Sequence, residues 1–130
     1  MRRFFFAFVL LATVVSCQGQ HGNGASSSAG SSTVLTAGEF KNKIAQKGVQ
    51  LVDVRTAREF ASGHIPGAKN IDATAYGFEN QAGSQLDKNQ PVAIYCLSGV
   101  RSARAAGALR RMGFKTVYDL RGGYRAWMAQ

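Results

Sequence analysis

Apolar positions along the chain fall into one long N-terminal block, followed by short runs separated by polar and glycine-rich punctuation. The first block, residues 4–15, is twelve uncharged residues, FFFAFVLLATVV. After it, residues 18–32 contain no Asp, Glu, Lys or Arg and are dominated by Gly and Ser, a composition that cannot build a core. From Thr33 the pattern alternates between strand-like and helix-like periods. Residues 33–35 are β-prone, and Thr36 to Glu39 has the Thr-x-x-Glu spacing of a capping box that opens a helix. Phe40, Ile44 and Ala45 supply that helix's apolar stripe and Gly48 its stop. Residues 49–54 read as a strand, and Thr56 to Glu59 as a second capping box opening a short helix that Gly63 ends. A turn-rich passage over 63–68 leads to a brief strand at 70–72 and a helix between Ala73 and Leu86. Residues 87–91 carry turn chemistry. Residues 92–96, VAIYC, form a continuous apolar run, the signature of a strand buried on both faces. The spacing then predicts a helix over 101–112, a strand over 116–118, and a final helix from Gly122-Gly123 through Trp127. Alternating strands and helices of this length predict one α/β domain over residues 33–130, with a mainly parallel central sheet flanked by helices.

Length and charge narrow the function classes. A chain of 130 residues accommodates one modest domain. Its formal net charge is +9, and fourteen basic residues against seven acidic ones remain from Cys17 onward. Such a field attracts anions. The basic residues do not gather into a run with interleaved aromatics, so nucleic acid is not an expected partner. No Cys/His cluster has metal-ligand spacing.

The N-terminus reads as an address. Arg2 and Arg3 precede the apolar block, which is shorter than the ~20 residues a membrane-spanning helix needs but suits a signal peptide. It ends in Val14-Val15-Ser16-Cys17, which resembles the lipobox of bacterial lipoproteins. That resemblance implies removal of residues 1–16 and lipidation of Cys17. Residues 17–32 then form a tether of roughly 20 Å, and the protein is held on a membrane of the cell envelope facing the periplasm or the exterior. Ordinary secretory cleavage near 25–29 and an uncleaved short anchor are the competing readings. A lipidated Cys17 cannot pair with Cys96, the second of the two cysteines.

Candidate chemistry concentrates after the buried run. Cys96 sits where a strand ends and a helix begins, the edge at which open α/β sheets bind ligands. The loop Cys96-Leu97-Ser98-Gly99-Val100-Arg101 is short enough to turn several amides toward one point, and Gly99 permits the backbone torsions required. Amides, helix dipole and Arg101 together favour a thiolate. The bland alternative is a buried strand-end cysteine acting as a small hydrophobe. Asp53 and Arg55, at another strand end, suit local ion pairing, with Arg55 also a candidate accessory contact. Arg104, one helical turn beyond Arg101, is a second candidate. His64 suits a structural hydrogen bond, and Tyr124 and Trp127 suit packing of the last helix.

The C-x-x-G-x-R loop resembles the active-site loop of rhodanese-type sulfurtransferases. Three further passages resemble the same family in the same order: Asp53 to Phe60 its D-x-R-x-x-x-E-[FY] segment, residues 63–68 its G-H-I-P-G-A turn, and residues 122–127 its G-G-x-x-x-W ending. The resemblance implies a rhodanese-like three-layer fold and a sulfur transferase whose Cys96 takes sulfane sulfur as a persulfide. Its partners would be small sulfur-containing anions or thiols. It also implies anion binding by the loop residues Leu97, Ser98, Gly99, Val100 and Arg101. No cofactor is implied, and a monomer is expected. Many members with thiosulfate activity carry a basic residue where this chain has Leu97, which shifts the expected donor toward a less charged or bulkier persulfide or polysulfide. Two rivals remain. One is a non-enzymatic binding or sulfur-carrier module. The other is a phosphatase or arsenate reductase relative, whose loop is one residue longer.

Overall fold

The computed structural model describes residues 29–130; the expected signal peptide, Cys17 and most of the tether lie outside them. Five strands and five helices alternate along the chain. They are β1 (Ser31–Leu35), α1 (Ala37–Ile44), β2 (Gln50–Asp53), α2 (Ala57–Ala61) and β3 (Lys69–Asn70). Then come α3 (Phe78–Gln85), β4 (Val92–Tyr95), α4 (Val100–Arg111), β5 (Thr116–Leu120) and α5 (Gly123–Met128). The sheet runs β1-β5-β4-β2-β3, and every pairing is parallel. The α/β architecture with a mainly parallel, helix-flanked sheet is therefore as expected.

β4 explains the layering. Its side chains alternate across the sheet, so Val92, Ile94 and Cys96 join one core with α3 and α4, while Ala93 and Tyr95 join the other with α1 and α5. All five are fully buried. Burying each large apolar side chain contributes about 1.5–3 kcal/mol, so β4, buried on both faces, is the most strongly fixed part of the sheet. The catalytic candidate is thus attached to the element least free to move.

Both capping boxes form. Thr36 and Thr56 accept from the amides of Glu39 and Glu59, whose carboxylates accept in return from the threonine amides. The first strand departs from expectation. It starts at Ser31, two residues inside the segment read as tether, because β5 supplies an edge to pair with. The Ser31 amide donates to the Lys115 carbonyl at 2.9 Å, and Arg110 Nε donates to the Gly30 carbonyl at 2.7 Å. Strand pairing therefore begins at Ser31, and Arg110 serves this anchorage as well as the C-terminal end of α4. Helix α3 is also shorter than the 73–86 window: Asp72 accepts from the Thr74 amide and hydroxyl, holding the chain in a turn until Gly77 starts the helix.

Candidate active site

Cys96 follows β4 directly, and α4 starts at Val100, so the loop between them is three residues plus the cysteine. Gly99 is the N-terminal cap of α4 with φ +106°, a conformation only glycine adopts without strain. This turn brings the Gly99 amide to 3.0 Å from Cys96 Sγ, where it donates to the sulfur. Ser98 and Val100 are exposed on the outside of the loop, Leu97 is half-buried, and Cys96 is buried beneath them. Burial pushes the thiol up. The Ser102 hydroxyl and the amides of Ser102, Gly99 and Ser98 outweigh it, and the net shift is downward. The loop therefore favours an anionic sulfur, through donors from Ser98, Gly99 and Ser102.

Ser102 was not among the residues the sequence singled out. Its side chain is fully buried, its Oγ lies 3.5 Å from Cys96 Sγ, and it donates to the Gly99 carbonyl at 3.2 Å. Gly123 is a second omission. The Tyr124 and Arg125 amides, at the start of α5, donate to the carbonyls of Cys96 at 2.7 Å and Leu97 at 3.2 Å. Those carbonyls thereby find their partners in α5. A Cβ on Gly123 would sit 2.5 Å from the Cys96 carbonyl oxygen, so the double glycine is what lets α5 back the loop.

Arg101 is held by a carboxylate in this structure. Its two terminal nitrogens donate to the two carboxylate oxygens of Glu59 at 2.7 and 2.8 Å. This forked pair ties α4 to α2, and the same carboxylate closes the α2 capping box. The Arg101 hydrogen bond holds the Glu59 carboxyl down at about 2. A depressed carboxyl contributes stability that is complete above its ordinary value and is lost as pH falls through its folded value. We expect stability to decline from about pH 4.5 toward pH 2. In Glu59→Gln we expect a loss at neutral pH of about 1–2 kcal/mol and the disappearance of most of that acid dependence, read by denaturant melts across pH.

Arg55 makes the local ion pair expected of it. It is 3% exposed, and its guanidinium is spent on Asp53 at 2.7 Å and the Gly63 carbonyl at 2.6 Å, with the Tyr124 ring 4.3 Å away. Its position after β2 pointed to the site edge, but the buried carboxylate two residues earlier captures it. His64 makes the structural bond expected, Nδ1 lying 2.9 Å from the Phe60 carbonyl while its ring stacks on Phe60. Arg104 is exposed and, with Arg101, lines an open cavity of about 700 Å³ between α4 and residues 73–80. Among the described residues, no group of three or more His, Cys, Asp or Glu is placed to hold a metal ion.

Comparisons with known proteins agree with this geometry. Residues 36–130 match the model of the rhodanese-like domain. The chain is 40% identical to the uncharacterized protein YqhL of Bacillus subtilis, over 72% of this chain and 70% of that one. It is 37% identical to the thiosulfate sulfurtransferase GlpE of Shewanella oneidensis, over 72% of this chain and 89% of that one. Among solved structures, a rhodanese-like domain protein from Staphylococcus aureus superposes with a TM-score of 0.64 at 38% identity, covering 73% of this chain and 90% of its own. The five-stranded parallel sheet, the cysteine loop and these matches all carry one conclusion: the chain belongs to the family of rhodanese-like domains.

Proposed function

We propose that the protein is a sulfurtransferase that carries sulfane sulfur as a persulfide on Cys96. The observation that supports this most is the Cys96 sulfur itself, 3.0 Å from the Gly99 amide and shifted toward its anionic form. With thiosulfate as donor, the thiolate attacks the sulfane sulfur and forms a new S–S bond. The donor's S–S bond breaks, and sulfite leaves with the electron pair. A thiophilic acceptor, cyanide or a thiolate, then attacks the outer sulfur and returns Cys96 as thiolate. The donors that stabilise the resting anion can serve the persulfide anion in the same cradle. Four residues separate Cys96 from Arg101, a loop that resembles that of the sulfurtransferases and is one residue shorter than that of the phosphatase and arsenate reductase relatives. The resemblance of Val14-Val15-Ser16-Cys17 to a lipobox supports a cell-envelope location for this activity, through lipid on Cys17.

Two half-reactions through a covalent intermediate give double-displacement kinetics, so varying donor and acceptor should yield parallel double-reciprocal lines. Intersecting lines would count against the persulfide. Leu97 stands where many family members with thiosulfate activity carry a basic residue, which supports a donor less charged than thiosulfate. Leu97→Arg is expected to raise kcat/KM for thiosulfate several-fold, roughly 1 kcal/mol, and to leave a neutral sulfane donor unchanged. Equal responses to both donors would sink the argument about Leu97.

A further inference from the structure

Asp119 is a buried titratable group that the chemistry above does not use. It lies on the α4 face of β5, is 4% exposed, and has one carboxylate oxygen, Oδ1, buried without any hydrogen-bond partner. β1 and β4 set Val34 and Ile94 beside it in register. Its polar neighbour is the Ser102 hydroxyl. Ser102 in turn lies 3.5 Å from Cys96 Sγ, so Asp119, Ser102 and Cys96 form a series running from β5 through α4 to the reactive sulfur.

A hydroxyl has one proton and two lone pairs, which fixes the direction of this series. While Cys96 is a thiol, its S–H donates to Ser102 Oγ, and Ser102 donates to the Gly99 carbonyl. Ionisation of Cys96 removes that donor and creates an anion that needs one. Ser102 can turn its proton to the sulfur, which leaves its lone pairs open to a donor on the far side. A carboxylate at Asp119 cannot fill that role. It would set a second buried negative charge behind the thiolate and leave Oδ1 without proton or partner.

We propose that Asp119 is a positioning residue: a buried carboxylic acid that donates to Ser102, so that Ser102 donates to the Cys96 thiolate. The inference rests on Cys96 being the reactive sulfur and extends that reading to its support. Burial pushes the Asp119 carboxyl up, with the Ser102 hydrogen bond opposing. The charged group facing the sulfur is Arg101 of α4, with Glu59 of α2 and Asp72 acting on its guanidinium. On the opposite face of β5, Lys43 of α1 lies over the Tyr118 ring. Among the described residues no charged group acts on Asp119 itself.

The test is the pH dependence of Cys96 alkylation by iodoacetamide in the full chain, read on the Cys96 peptide by mass spectrometry. Asp119→Asn keeps a neutral N–H donor and is expected to titrate with the parent protein. Asp119→Leu and Ser102→Ala each remove a donor, and should move the midpoint up by about one unit, which slows alkylation roughly tenfold below it. A shift of a unit or more in Asp119→Asn, or no shift in Ser102→Ala or in the folded variant that lacks a donor at 119, would overturn the proposal. Should the leucine variant fail to fold, Asp119→Ala, which is smaller and equally without a donor, is read in its place. Alkylation requires no sulfur donor, so a protein that failed to transfer sulfur would still report on this series.

Discussion

Serine in place of Cys96 is expected to abolish sulfur transfer, by at least about 10⁴-fold in kcat/KM, while leaving the fold intact. Both halves follow from the surroundings of the sulfur. Cys96 is fully buried at the end of β4, and its contacts with the Gly99 amide and the Ser102 hydroxyl are ones a serine hydroxyl can also make. Stability should therefore change by no more than about 1 kcal/mol. The chemistry does not survive, because a hydroxyl in the same cradle stays protonated at neutral pH and oxygen cannot carry the sulfane sulfur as a persulfide. Steady-state rates beside a thermal melt check both halves at once.

The second large effect is expected at a residue that never touches substrate. Gly123→Ala forces a Cβ to within 2.5 Å of the Cys96 carbonyl oxygen and 2.6 Å of Leu97, at a φ of +62° that alanine adopts with strain. The hydrogen bonds from Tyr124 and Arg125 to those two carbonyls must lengthen, and the loop must move. Displacing reacting groups by about 1 Å can cost about 10²-fold in rate, and the strained backbone adds about 1–3 kcal/mol of destabilisation. Gly38 supplies the control. An added Cβ there meets nothing within 4 Å and lies inside α1, so Gly38→Ala should be neutral or stabilising, with activity unchanged. Equal losses in both variants would contradict the role assigned to Gly123.

These two residues mark where sequence reading succeeds and where it stops. Cys96 was legible because its signals are local: a run of five apolar residues, then a glycine and an arginine at fixed spacing. The capping boxes at Thr36 and Thr56 were legible for the same reason, each being a bargain between residues three apart. Ser31 and Ser32 were not, since two serines have no β-pattern of their own and become strand only because β5 offers an edge. Arg101 showed its charge in the sequence but not its partner, since Glu59 lies 42 residues earlier and only the fold brings the two within 2.8 Å. For Arg55 the local ion pair with Asp53, two residues earlier, was legible, whereas its bond to the Gly63 carbonyl depends on the fold. Asp119, inside a five-residue strand, gave no sign that its oxygen would be buried without a partner.

Intact-mass spectrometry of the purified protein after brief exposure to a sulfane donor, thiosulfate or polysulfide, tests the central claim most directly. The account predicts a gain of one sulfur atom, ~32 Da, on the protein, removed by cyanide or dithiothreitol and absent in Cys96→Ser. A folded protein with a free Cys96 thiol that takes up sulfur from neither donor would contradict it.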